Sequence, residues 1–463
     1  MSICDVCTNR IAGDVRQILN SKTSGDCKLC LGLFEGLSSR VKEEISRSGF
    51  HDVHEVQLCL KLDLSMTLRS LIETAFFKSD TFVDIKDAIK LLVHPSIPLV
   101  KFDDPSFLPP LKVEISVEFE KCLSAVNRFR GVKELVAALG SLQYDEICTK
   151  LSIPVSECPN RIDNLVSALD SLCQLNSLKV KVEISRESLF LLGKYKKNSR
   201  DIAQSRWLVE GSDFQPAGSV EEIVEEWLAG VLGADIKPRE SRVTLSASGR
   251  EDVDVRMLGT GRDFCVEISN PVSLSNFAGK RKIGDFPGFS RHGVEISDLR
   301  LVDRRVLGWL HYCAENHTKF YQAVVLCKEP LTLASMEKLQ GIKDLEICQW
   351  TPVRVLHRRA NMLRKKTLHS INVKMIDNEN IDLSTEWCIS KEDAMKWKSC
   401  NLYVITLESS AGMYIKEFVH GDFGRTSPSL KDLLTESPNV CDILTLDVLE
   451  VEAVEYPFDQ VVS

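Results

Sequence analysis

Hydrophobic and polar positions alternate with a period of two in three early stretches: Val56, Leu58, Leu60, Leu62 and Leu64; Val113, Ile115, Val117 and Phe119; and Leu178, Val180, Val182 and Ile184. Successive side chains on a strand point to opposite faces, so each run predicts a half-buried strand. Residues 31–48, 67–77, 132–139 and 160–173 have helix-like spacing, and the Pro-rich residues 104–110 read as a loop. Together they predict an α+β module of about a domain's length. Beyond Leu178 strands dominate, with candidates at 264–268, 321–326, 345–347, 371–376, 402–407 and 443–448. One helix opens at Ser219, where Glu222 three residues on forms a capping-box pattern ahead of Ile223, Val224 and Trp227. The expectation is a mixed or antiparallel sheet carrying helices, with domains at 1–177 and 178–463.

A chain of 463 residues exceeds what one hydrophobic core usually serves, which agrees with two domains. No apolar run is long enough to span a bilayer, and the N-terminus lacks a basic-then-apolar secretory layout. The expected setting is therefore the nucleus or cytoplasm, without a membrane, where the 16 cysteines stay mostly reduced and no disulfides are implied. A net charge of −8 argues against an overall basic coat, but three segments are locally basic: 194–206, 280–282 and 354–366. Each is either a nucleic-acid contact or a solvated face.

Cys4 and Cys7 form one CxxC pair, and Cys27 and Cys30 form a second. Their separation falls within the spacing of a four-thiolate zinc site, with helix-like residues 9–21 between. Four sulfurs satisfy tetrahedral zinc and leave no position for water, so such a site holds structure and does no chemistry.

Val243 and Leu245 alternate with polar neighbours before Gly249, after which Arg250, Glu251, Asp252, Asp254 and Arg256 crowd opposing charges into one segment. A carboxylate beside arginines stays ionised at neutral pH, which suits a nucleophile or base. A polar hairpin turn with surface ion pairs fits the same residues. Residues 411–426, AGMYIKEFVHGDFGRT, place Tyr414, Ile415, Phe418 and Val419 at helical spacing with Lys416 near the first turn. That lysine points either at a neighbouring site or at water. A phosphate-binding loop, a dinucleotide fingerprint and an HExxH pair are all absent from the sequence, so nucleotide chemistry and metal-assisted hydrolysis are not expected.

Three motifs, GREDVDVRMLGTGRDF at 249–264, TPVRVLHRR at 351–359 and YIKEFVHGDFGRT at 414–426, resemble those of the tRNA pseudouridine synthase ten family of archaea and eukaryotes. The resemblance covers 178 to the C-terminus, and the paired CxxC arrangement is similar to that family's N-terminal zinc site. It implies a pseudouridine synthase catalytic domain, behind a zinc-containing, THUMP-like RNA-binding domain. By position in the motifs, Asp252 takes the indispensable aspartate's role, with Asp254 its rival. Tyr321 matches the strand tyrosine that packs against the target base, and Lys416 the basic partner of the aspartate. Arg200, Arg250, Arg354, His357, Arg358, Arg359, Arg364, Lys365 and Lys366 are the implied RNA contacts. At 193–200 the chain has GKYKKNSR, which keeps the family's charge but loses an aromatic residue.

The implied reaction cleaves uracil from C1′ of the ribose, turns it and rejoins it through C5, with no organic cofactor. The substrate would be uridine-54 of the TΨC arm of tRNA, either alone or together with uridine-55, and the protein a monomer. Asp252 would act as nucleophile toward the sugar or as base toward C2′. The competing reading is a non-catalytic zinc-containing RNA-binding protein that uses the synthase fold to hold RNA.

Overall fold

The computed structural model describes residues 3–23, 27, 29–50, 52–63, 66, 70, 73, 82–119, 178–207, 215–232, 243–377, 381–434 and 440–457. The helices expected at 132–139 and 160–173, and most of the one at 67–77, lie outside the described residues. The chain divides into two compact units, one of residues 1–187 with 270–278, the other of 188–269 with 279–463.

In the first unit the helix-like 9–21 is two short helices, α1 (Asp5–Ala12) and α2 (Val15–Ile18), broken where Gly13 turns left-handed at φ 72°. The longer α3 (Leu37–Ser48) begins only after Gly36. Strands β1 (Val56–Leu62), β2 (Leu111–Phe119) and β3 (Leu178–Arg186) form a sheet in the order β1-β2-β3. Leu60 pairs with Ile115 in parallel, and Ile115 with Val182 in antiparallel, so the alternating apolar positions of all three strands share one face. That face packs on α3 and on α4 (Ile85–Val93) through Leu37, Val41, Ile85, Ile89 and Val93. The strand at 178–186, expected at the start of the second domain, therefore completes the first sheet, and the chain divides after residue 187. Its apolar residues Leu178, Val180, Val182 and Ile184 pack against the first unit's core.

The second unit is built on an eleven-stranded sheet in the order β15-β12-β13-β14-β11-β16-β8-β4-β10-β9, with β7 alongside β8. These strands are β4 (Leu189–Lys197), β7 (Val243–Ala247), β8 (Arg256–Ile268), β9 (Phe289–Arg291), β10 (Val294–Val302), β11 (Lys319–Cys327), β12 (Lys343–Trp350), β13 (Leu363–Met375), β14 (Asn401–Ser409), β15 (Thr426–Ser427) and β16 (Cys441–Val451). Short β5 (Ile202–Ala203) and β6 (Gly218–Ser219) pair apart from it. Five of the six strand candidates from the sequence fall inside these strands, and the sixth, at 371–376, overruns the end of β13 by one residue. The sheet is mixed: β8 and β16 run parallel, and its other described pairs are antiparallel. Helix α5 (Val220–Leu232) starts at Ser219, whose hydroxyl accepts from the Glu222 N–H at 3.1 Å. Helix α6 (Val306–Asn316) packs Val306, Trp309, Leu310 and Cys313 against Phe190, Leu192 and Cys265 of the sheet. Among the described residues no helix is long and apolar enough to cross a membrane.

Candidate active site

Register brings four chain segments to one end of this sheet. Met257 at the start of β8 pairs with Val448, which also pairs with Tyr321 near the start of β11. Lys319 pairs with Ser409 at the end of β14. The segments just beyond those strand ends are therefore neighbours: the 248–255 loop between β7 and β8, residues 351–359 after β12, and 412–416 after β14. They enclose a cavity of about 280 Å³ lined by Gly249, Arg250, Glu251, Asp252, Lys319, Tyr321, Arg354, Arg358, Arg359 and Lys416, among others.

The charges crowded after Gly249 separate by direction. Glu251 turns inward, 6% exposed. It accepts from Tyr195 Oη at 2.8 Å and from Arg262 Nε at 3.0 Å, while Arg262 Nη1 donates to Ser248 O at 2.9 Å. Gly249, at φ 107°, needs to be glycine, because a Cβ there would lie 2.8 Å from Arg262 Nη1. Arg256 turns to Asp447. Asp252 faces the cavity, its Oδ2 3.0 Å from Arg354 Nη1 and 3.3 Å from Lys416 Nζ. Burial by itself would push the Asp252 carboxyl up, but Lys416 and then Arg354 outweigh it and hold it below the usual carboxylate value. Asp254 is bound more closely by Lys416, at 2.7 and 2.9 Å, yet it is more exposed than Asp252 and does not line the cavity.

Of the basic segment at 194–206, Lys197 and Arg200 turn inward, while Arg206 stays exposed and pairs with Glu225. Lys197 is fully buried and donates to the carbonyls of Ile202, Asp252 and Val253 at 2.9, 3.2 and 2.7 Å. Burial lowers its ammonium to a pKa of about 8. Arg200, expected as an RNA contact, donates to Asp254 O, Leu446 O and Trp387 O and pairs with Asp447. Gln204 bridges Tyr195 Oη and Gly249 O at 2.8 and 2.9 Å. These contacts fix the backbone carrying Asp252 from below.

Lys416 lies in the first turn of the short helix α10 (Ile415–His420), as its spacing predicts. The start of that helix is pinned to β12 by buried Gln349, which accepts from Tyr414 N and donates to Tyr414 O, both at 2.9 Å. Glu417, 2% exposed, takes the Nε of Arg354 at 2.7 Å, and its other carboxylate oxygen is buried without a hydrogen-bond partner among the described residues. Arg354 thus bridges Glu417 and Asp252, where the sequence pattern suggests a reach for phosphate.

Tyr321 is 9% exposed and its hydroxyl is pushed up to about 12 by burial. Beside it Lys319 is brought down to about 8, by burial and then by Arg262 and Lys366. Its Nζ donates to Ala314 O at 3.2 Å. The remaining basic residues divide. Arg250, Arg358 and Arg359 are exposed at the cavity, with Arg359 donating to Tyr414 Oη, and His357 is exposed close by in sequence. Arg364 donates to Thr351 Oγ1, Lys366 to Ala411 O, and Lys365 pairs with Glu346 at the surface. Sequence reasoning placed Glu251 in the charged segment without a role of its own, and it missed Lys197, Gln204, Lys319, Gln349 and Glu417 as parts of this site. Only Glu251 and Glu417 carried a signal, as direct neighbours of Asp252 and Lys416.

In the first unit, the sulfurs of Cys4, Cys7, Cys27 and Cys30 all lie within 4.8 Å of one another, and all four residues are buried. Cys4 N donates to Cys27 Sγ at 3.3 Å, and Arg10, paired with Glu73 at 2.8 Å, donates to Cys7 Sγ at 3.7 Å. Hydrogen bonds to sulfur favour thiolates, so this cluster could hold a metal ion.

The family description "Pus10, C-terminal" matches residues 190–390 and 386–452, which include every residue of the cavity. The chain belongs to the Pus10 family. Among curated Pus10 proteins, the human "tRNA pseudouridine synthase Pus10" is 28% identical over 93% of this chain and 79% of its own length. Its Xenopus laevis counterpart is 26% identical over 98% and 85%. An archaeal Pus10 from Korarchaeum cryptofilum is 32% identical over 59% of this chain and 67% of its own length. The Pus10 match begins just beyond the first unit's last strand and takes in the whole 248–255 loop.

Proposed function

We propose that this chain is a tRNA pseudouridine synthase that isomerises uridine-54 of the TΨC arm, either alone or together with uridine-55. The observation that carries the reading is Asp252, held ionised between Lys416 and Arg354 at a cavity walled by Tyr321. A stacked base cannot reach such a carboxylate, so the nucleotide is flipped out of the RNA, and Tyr321 offers its ring to the uracil in exchange for lost stacking. Asp252 then assists cleavage of the C1′–N1 bond, as nucleophile at C1′ or as base at C2′. The uracil turns, C1′ bonds to C5, and the proton displaced from C5 ends on N1. Nothing is gained or lost, and no redox or organic cofactor is required.

Arg250, Arg358 and Arg359 are placed to meet phosphates around the flipped nucleotide, since RNA is held largely through its backbone and shape. In the first unit the four cysteines are read as a structural zinc site. A tetrahedron of sulfurs at ~2.3 Å from zinc has edges of about 3.8 Å, and Cys4 Sγ and Cys30 Sγ are 3.8 Å apart. With a sheet packed on helices behind it, this unit is read as the THUMP-like module that presents the tRNA. The test is base-resolution mapping of pseudouridine in unmodified tRNA incubated with the purified protein. Conversion at position 54 is expected, and RNA that is bound but left unconverted would favour a binding protein instead.

A further inference from the structure

Helix α10 carries Lys416 at its start and runs straight into a loop whose four residues Gly421, Asp422, Phe423 and Gly424 all have positive φ, at 82°, 44°, 57° and 86°. For glycine this is ordinary, but for aspartate and phenylalanine it is not. The loop is nonetheless firmly held. Asp422 is buried and accepts from Val353 N at 3.2 Å. Arg425 donates to Thr351 O at 2.8 Å, and Trp350 N donates to Arg425 O at 2.9 Å. Phe423 projects into solvent with 95% of its surface exposed, and Val353 and Trp350, whose backbone N–H groups donate to Asp422 and Arg425, are half-exposed. The loop is thus held on residues 351–353, directly before Arg354, which pairs with Asp252. The same 351–359 segment supplies exposed Arg358 and Arg359 to the cavity lining.

A backbone held in a costly conformation that gains its phenylalanine no buried contact is a feature to explain by function. An exposed aromatic ring on a loop anchored to the segment that gives a uridine-accepting cavity Arg354, Arg358 and Arg359 has the chemistry of a single-stranded nucleic-acid platform, where bases stack on rings and phosphates meet cations. We propose that Phe423 is a stacking platform for an unpaired RNA base next to the uridine that enters the Asp252 cavity. This rests on the RNA-modifying reading above.

The experiment measures affinity for unmodified tRNA over a series of salt concentrations, together with thermal unfolding, for the wild type, Phe423→Gly, Phe423→Leu and Phe423→Trp. Loss of a stacked base weakens binding by roughly 5- to 150-fold. That loss is expected in the glycine and leucine variants, leucine being apolar but without a π-face, and binding should be retained with tryptophan. No phosphate contact is removed, so the slope of log affinity against log salt should stay at its wild-type value. Phe423→Gly should unfold no earlier than the wild type, since glycine tolerates positive φ; earlier unfolding would make the ring a structural element and overturn the proposal. Wild-type affinity in the glycine or leucine variant would overturn it as well, and so would a weaker affinity accompanied by a shallower salt slope. A wild-type protein that binds tRNA without making pseudouridine would sink the catalytic reading alone and leave the Phe423 comparison intact. One that binds no tRNA would sink both.

Discussion

The guanidinium of Arg354 lies 3.0 Å from Asp252 Oδ2, while its Nε is held at 2.7 Å by buried Glu417. One arginine therefore ties the loop after β7 to helix α10, and shares with Lys416 the task of keeping Asp252 charged. Removing Glu417 would free Arg354 to swing toward solvent. It would also leave part of the positive charge in the site uncompensated.

The three carboxylates of the 249–254 segment should separate by experiment. Asp252→Asn should lower the single-turnover rate of isomerisation by about 10⁴-fold or more, the scale of losing a nucleophile or base. Its tRNA affinity should hold. Asp254→Asn should retain most activity, and the reverse pattern would mean that the closer Lys416 contact marks the reacting carboxylate.

Glu251→Ala should instead act on stability, by about 3–5 kcal/mol, because it strands Arg262 in the interior. Denaturant unfolding of this variant beside Asp254→Ala, expected within about 0.5 kcal/mol of wild type, checks the distinction. Equal effects would show that the inward pairing with Tyr195 and Arg262 contributes little.

The acid side of the pH–rate profile should move to higher pH in Lys416→Met and in Arg354→Met. Both cations lower the Asp252 pKa against the opposing effect of burial, so losing either raises it. A raised carboxylate pKa means that the ionised form, and with it activity, is lost at a higher pH as the solution is acidified. A rate that falls equally at every pH, with the limb unmoved, would assign these residues to binding or folding.

Arg358→Ala and Arg359→Ala should weaken tRNA binding and flatten its salt dependence, the slope falling by roughly 0.7 to 0.9 for each phosphate that the protein no longer neutralises. Lys366→Ala should leave the slope unchanged and lower thermal stability, since its ammonium donates to Ala411 O at 2.6 Å. Unchanged slopes in both arginine variants would place the RNA path elsewhere on the protein.

Elemental analysis of protein purified without chelators should find one zinc per chain. The Cys4→Ser, Cys7→Ser double variant should lose the metal and unfold at lower temperature. Metal-free protein with an unchanged melting profile would reduce the cluster to four buried thiols.

Much of this architecture follows from local pattern. The alternating apolar runs fixed β1, β2 and β3, because a strand with one apolar face can be satisfied in only one register. Two CxxC pairs announced a sulfur cluster, the glycine at 249 announced a left-handed turn, and the spacing of Tyr414, Ile415, Phe418 and Val419 put Lys416 on a first helical turn. The similarity of whole motifs then pointed to Asp252. What a linear chain could not disclose is where each charge is spent. Lys197, Arg200 and Arg354 look in sequence like solvated or phosphate-binding cations, yet the first two donate to backbone carbonyls and the third pairs with Asp252 and Glu417. Glu251 and Asp252 are adjacent in sequence, but one is directed into the core and the other into the cavity. A side chain's charge is a local property, whereas its partner and its solvation depend on which distant segment the sheet's register brings within about 3 Å, the reach of a hydrogen bond. Only the tertiary structure supplies that information.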